Sequence, residues 1–243
     1  MGIAQTIVEF GQSMKIAEAK IAAGYRLGRE CRVEENVLLG AEPGRRSAKR
    51  EPLVVGFRAH LRFGTVLYRG TVIGSGFETG HFAVVREENR IGKDVRIWNH
   101  STIDYGCVIG DGVKIHCNVY VAQYSILEDG VFLAPGVVLA NDLFPGSRHS
   151  MKLLQGPVIK KGAQVGVNCT ILPGVVIGAN CVIGAGSVVA RSIPDGTVAW
   201  GAPAVPRKNR RDLRWPAAFR LSRPEALRFY RSRVAGTAPY EYK

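Results

Sequence analysis

The chain has 243 residues, 46% of them hydrophobic and 22% charged, which is enough apolar side chain to bury a core and too little charge for a disordered chain. No uninterrupted apolar run approaches the roughly 20 residues of a membrane span, and the opening MGIAQTIVEFGQSMK lacks the basic, apolar, small-residue order of a secretory signal; no membrane partner and a cytoplasmic location are expected. Lys and Arg number 33 against 20 Asp and Glu, a net +13 of which +8 lies between Arg207 and Arg233, read as a solvated basic tail rather than a nucleic-acid arm.

Ile3, Ile7, Phe10, Met14, Ala17 and Ile21 recur at helical spacing and predict a helical cap over 1–26. A first, weaker repeat reads Leu27, Val33, Leu39 and is followed by a polar insertion, Pro43 to Glu51. From Val55 an aliphatic residue then returns every sixth position to Leu139, and the phase resumes from Ile159 to Val189; of these 21 positions, 20 are Val, Ile or Leu and the exception is Thr79. Six residues are too few for a helix but suit one short strand and one tight turn, with the aliphatic side chain inward and a small residue in the fifth place filling the corner. Three such units make an 18-residue rung that must stack on others to bury its apolar side. The pattern predicts an all-β solenoid of about seven to eight coils over 27–201.

Leu139 and Ile159 are 20 residues apart, two out of phase, so residues 140–158 are expected to leave the solenoid as a loop, where function commonly sits. Residues 202–243 form a basic C-terminal segment, in which Ser222-Arg223-Pro224-Glu225 is a capping box opening a helix to about Val234. The five cysteines are an odd count without metal spacing; Cys31, Cys107, Cys169 and Cys181 take the small fifth place, whereas Cys117 stands in a turn beside His116 and Asn118. No metal site is expected. Stacking by 18 puts Thr79, Ile97, Ile115 and Leu133 on one face, which gathers His81, His100 and His116 at one edge and sends Asp142 to another.

The run Ile183-Gly-Ala-Gly-Ser-Val-Val189, the segment Gly201-Ala202-Pro203-Ala204 with Arg207 and Lys208, and the stretches Ile115-His-Cys-Asn-Val-Tyr-Val121, Leu127 to Leu133 and Ala140 to Pro145 resemble the hexapeptide-repeat acyltransferases, most of all the nucleotide-sugar N-acetyltransferases. The resemblance implies a left-handed parallel β-helix, a homotrimer with sites between subunits, acetyl-CoA or another acyl-CoA as donor, and a nucleotide-linked amino sugar as the small-molecule substrate. On it, Asn118 orients the acceptor and His116 accepts its proton, unless the amine binds already neutral and no base is needed. Asp142 orients base or amine. It occupies the place where relatives that acylate hydroxyls carry a histidine, which favours an amine acceptor. Arg86, Glu87, Trp98, Asn99, His100, Asn141 and His149 are the expected acceptor contacts; Gly166, Gly184, Ala202, Arg207 and Lys208 are the expected coenzyme contacts. Three alternatives stay open: a sugar or antibiotic O-acetyltransferase, a γ-type carbonic-anhydrase-like zinc enzyme suggested by the three edge histidines, and a non-catalytic basic binding scaffold.

Overall fold

The structure is a computed structural model that describes residues 24–213. The chain divides into two compact units, residues 1–210 and 211–243. The coils lie in the first. Two-residue strands alternate with turns around a triangular section, building three sheets. Face 1 runs from Tyr25–Leu27 to Val176–Ile177, face 2 from Arg32–Val33 to Val182–Ile183 and on into the closing strands, and face 3 from Leu38–Ala41 to Val188–Val189. Neighbours pair in parallel one coil apart, as Ile97 with Ile115 and Ile115 with Leu133, so the strands of the inner coils bond to the coils above and below. The result is a left-handed parallel β-helix of eight coils, as the repeat and its resemblance predict.

The repeat explains the geometry locally. One residue of each strand, the sixth-position residue, points inward and is buried from Leu39 onward, with Leu127, Leu133 and Leu139 at 0% exposure, whereas Leu27 and Val33 of the first coil are exposed and half-buried. The fifth-place residues fill the corners: Cys107, Cys169 and Cys181 are fully buried, and burial pushes the Cys107 thiol up to about 12, so they pack as small apolar groups. The turns need a left-handed residue, which is Gly136 in one coil but His100 (φ 58°) and Asn118 (φ 57°) in the two below it. Thr79, the one polar member of the ladder, is buried because its hydroxyl bonds that of Thr65 (2.8 Å) and accepts from the Arg62 backbone N–H (2.9 Å).

Two coils are lengthened. Leu27 pairs with Val55, 28 residues on, so the first coil carries ten extra residues between Ala41 and Leu53; Leu133 pairs with Val165, 32 residues on, so the ejected loop adds 14. Both depart from the end of a face 3 strand and return to face 1, and so share one edge of the triangle. The loop contains a short helix, Ser150–Leu153.

Two boundaries differ from those expected. The first strand opens at Tyr25, inside the stretch assigned to the helical cap, because Tyr25 and Arg26 pair with Leu53 and Val54. The solenoid does not end at 201: Thr197–Gly201 joins face 2 beside Val182–Ile183 and folds back antiparallel onto Ala204–Asn209 through a cis Ala202–Pro203 turn. A boundary at 201/202 would therefore cut a hairpin. The helices expected before residue 24 and after Ser222 lie outside the described residues.

Candidate active site

The turns between faces 2 and 3 stack in register, one rung or about 4.8 Å apart. Their backbone bonds fix the order: His100 N–H donates to the His81 carbonyl, Asn118 N–H to the Asn99 carbonyl, and Gly136 N–H to the Cys117 carbonyl, each about 3.0 Å. His81, Trp98, Asn99, His100, His116 and Asn118 therefore all line this edge. The rings form two parallel stacks, Trp98 under His116 (centroids 5.0 Å, 8° between planes) and Phe82 under His100 (5.3 Å, 9°), and Phe132 meets His116 edge-on from above (6.4 Å).

His116 Nδ1 accepts the Cys117 backbone N–H at 2.9 Å. With that bond in place the proton of the neutral ring sits on Nε2, which can then donate. The expected role of His116 as proton acceptor would need the ring to give up this bond or to act through the other tautomer. Asn99 is also committed in part: its side-chain oxygen caps the His81 N–H (3.0 Å), and a Cβ at Gly80 would strike it. Asn118 presents an exposed side chain at the left-handed corner.

Below this turn, on face 2, opens a cleft of about 300 Å³ lined by Arg62, Glu78, His81, Arg96, Trp98 and Asn99. Glu78 stands between the two arginines, 4.0 Å from Arg62 and 3.7 Å from Arg96. A second hollow of about 430 Å³ lies higher on the same face, against Lys114, Phe132 and Gln164. Higher still on the edge, Gly166 and Gly184 are glycines for packing within the chain: a Cβ at 166 would meet the Ala185 backbone at 2.6 Å, and one at 184 the Trp200 Cβ at 2.7 Å. Trp200 is 39% exposed, and Arg207 (5.6 Å) and Lys208 (5.7 Å) lie over its ring. Sequence reasoning named the two cations but missed Trp200, which falls outside the six-residue phase. Ala202 is exposed in the hairpin turn beside them.

The remaining expected residues stand on the other edge, between faces 3 and 1. Glu87 is fully buried, held by Arg45 (2.9 Å) and Arg86 (3.1 Å), so it is a structural carboxylate and not a surface for substrate. Arg86 also pairs with Asp104 (2.9 Å). Asn141 is buried and bonds Gln123 (2.6 Å). Asp142 accepts the Phe144 N–H (2.8 Å) on one oxygen and the Ser150 hydroxyl on the other, which folds the loop on itself. His149, exposed in the loop, accepts from Arg148 Nε (3.0 Å). Within one chain, then, Asp142 and His149 are not brought to His116 and Asn118. Among the described residues no group of three His, Cys, Asp or Glu is arranged to hold a metal, and no helix is long and apolar enough to cross a membrane.

A family model for the bacterial transferase hexapeptide (six repeats) matches residues 106–141 and 156–191, and one for the hexapeptide repeat of succinyl-transferase matches residues 88–123. The chain carries the hexapeptide repeat of the bacterial transferases. Among solved structures it is similar to LpxA, a UDP-N-acetylglucosamine acyltransferase from Bacteroides fragilis, at 16% identity over 91% of each chain with a TM-score of 0.55, a likeness of fold. It is also similar to the acetyltransferase domain of PglB from Neisseria gonorrhoeae (20% identity, 60% of this chain and 59% of that one, TM-score 0.37) and to perosamine N-acetyltransferase from Caulobacter crescentus (23%, 61% and 59%, 0.30). The chain spans about three-fifths of the length of these last two. No curated protein sequence matches it.

Proposed function

We propose that this hexapeptide-repeat protein is an acyl-CoA-dependent acyltransferase that acetylates the amino group of a nucleotide-linked amino sugar. The observation that carries the reading is the order of features along one edge: a two-arginine cleft, then the His116 and Asn118 turn, then Trp200 with Arg207 and Lys208. An indole face flanked by two cations suits an adenine ring and its phosphates, and Arg62 and Arg96 suit a diphosphate that displaces Glu78 from between them. Acyl-CoA supplies an acyl group activated as a thioester. Asn118 holds the acceptor nitrogen through its amide, and His116 offers Nε2–H to the negative charge that develops on the acyl oxygen. Because His116 is a donor here, the nitrogen must arrive as the neutral amine, the second of the two routes open from the sequence. Asp142 and His149 complete the site across a subunit boundary in a cytoplasmic homotrimer, since one chain keeps them on a different edge. LpxA, which shares the fold, is named for transfer to a nucleotide sugar, and the same class of acceptor is read here.

Thermal unfolding with coenzyme A, acetyl-CoA and dephospho-coenzyme A tests the reading, since a ligand of the folded state raises the transition. Both complete coenzymes are expected to raise it and the dephospho form to raise it less. No rise with any of them overturns the reading. Release of coenzyme A thiol from acetyl-CoA with a panel of uridine-diphosphate amino sugars, and with their hydroxyl counterparts as controls, then tests the acceptor.

A further inference from the structure

The edge between faces 3 and 1 carries both insertions, and the space between their roots is filled by one unbroken set of polar contacts. Arg45, from the first insertion, donates to Glu87 (2.9 Å); Arg86 donates to Glu87 (3.1 Å) and to Asp104 Oδ1 (2.9 Å). Asp104 Oδ2 accepts the Tyr120 hydroxyl (2.7 Å) and Gln123 Nε2 (2.6 Å), and Gln123 Oε1 accepts Asn141 Nδ2 (2.6 Å). With the Tyr105 N–H (2.8 Å) on Oδ1 as well, Asp104 has four donors and is 4% exposed. A carboxylate only accepts, so Gln123 must turn its NH₂ toward Asp104 and its oxygen toward Asn141. The orientation of one amide sets that of the next. Asn141 also receives the Gln155 N–H on its backbone oxygen (2.8 Å), so it joins the two roots of the ejected loop.

We propose that Asp104, acting through Gln123, is the positioning residue of the ejected loop: it orients the Asn141 amide, and Asn141 holds both loop roots in place. Its consequence for catalysis rests on the acyltransferase reading, in which the loop carries Asp142 and His149 to the neighbouring site. The tether itself rests only on the contacts above.

Gln123→Glu tests it without changing shape. At pH 8 an ionised carboxylate at 123 faces Asp104 and cannot donate, so the tether opens. Burial and the like charge raise the pKa of the introduced acid, so at pH 6 its protonated form donates to Asp104 again. The other titratable groups around this site are Arg45, Tyr68, Arg86, Glu87, Glu88, Tyr105, Tyr120, Tyr124 and Cys107 and, from the loop, Asp142. Trypsin cleavage at Arg148 and Lys152, both exposed, reads loop order with no substrate present. Relative to the unaltered chain at the same pH, cleavage is expected to be about tenfold faster at pH 8 and within about twofold at pH 6, as loss and recovery of a charge-assisted hydrogen bond require. Asn141→Asp, which also cannot donate until protonated, is expected to behave alike and stands in if Gln123→Glu fails to fold. Unchanged cleavage at pH 8, or faster cleavage that acid does not reverse, overturns the tether. With an acceptor that the unaltered chain acetylates, kcat of Gln123→Glu is expected to fall about tenfold at pH 8 with KM for acetyl-CoA held and to recover at pH 6; an unchanged kcat overturns the positioning role. If the unaltered chain transfers nothing while cleavage follows the pattern, the acyltransferase reading fails and the tether stands.

Discussion

On the edge between faces 2 and 3 the turns from Gly80 to Gly186 contain no Asp or Glu, and they expose stacked rings and the Asn118 amide; on the edge between faces 3 and 1 Glu87 and Asp104 are buried under arginines and amides. The same six-residue unit builds both. What differs is which turn residues are committed to holding the chain together. Rings and amides on the first edge commit one or two faces or atoms to their neighbours and leave others unengaged, whereas the carboxylates of the second edge have their acceptor sites filled from within. A buried charge with all its partners present reads as structure, and an exposed polar group on a rigid rung reads as a site. The two edges should therefore answer mutation differently, in stability on one and in turnover on the other.

The largest effect is expected from Glu87→Ala. The side chain is 0% exposed while its partners Arg45 and Arg86 are 22% and 28% exposed, so its removal leaves two partly buried guanidiniums without their shared acceptor. A loss of about 3 kcal/mol is expected, at the lower end for breaking a buried pair because water reaches both arginines. Denaturant unfolding measures it. An equal loss from His116→Ala, on the other edge, would erase the distinction between them.

Asn118→Asp reverses the pattern. Asp tolerates the left-handed corner, so stability should change by less than about 0.5 kcal/mol. A carboxylate there would hold the acceptor as ammonium, which has no lone pair to attack with, and turnover should fall about a hundredfold, equivalent to about 2.7 kcal/mol, with coenzyme affinity unchanged. His116→Ala is expected to cost about tenfold without removing a limb from the pH–rate profile, because its ring is placed to donate. Loss of the acid limb on that substitution would restore His116 as the base.

The coils are legible in the sequence because one physical demand, an inward aliphatic residue per unit, repeats with a fixed period. Counting by that period also separates His116 from Asp142 onto different edges, and it places four cysteines in corners. Arg86 and Asp104, and Gln123 and Asn141, are each 18 residues apart, so the contacts of the second edge are open to the same counting along that column. The period says only that Arg86, Glu87 and Asn141 have no place in the aliphatic core, which leaves them free for substrate on paper, when in fact each bonds a neighbour on the same or an adjacent rung. Arg45 and Trp200 are not legible at all. One lies in an insertion outside the period and the other in a strand that closes against an antiparallel partner, where a six-residue phase carries no information.

The smallest effect, and the sharpest contrast between the edges, concerns acid. Burial alone would raise the Glu88 pKa, but the Lys49 N–H (2.6 Å) and the Arg45 guanidinium (2.9 Å) outweigh it and hold the carboxyl below the usual range. A carboxyl depressed in the folded state contributes stability that is complete above its unfolded value, about 4.3, and that is lost as pH falls through the folded one. Residues 42–52 should thus stay docked at pH 7 and loosen below about pH 4, seen as faster backbone hydrogen exchange there once the intrinsic pH dependence of exchange is removed. The turns at 98–100 and 116–118, without a carboxylate of their own, should keep their protection over the same range. Glu88→Gln should bring the loosening of 42–52 to neutral pH, because the amide retains an oxygen for Lys49 but presents no charge to Arg45. If both edges instead loosen together on acidification, the coils are unfolding as one unit, and the division into a fastened edge and a working edge does not extend to their stability.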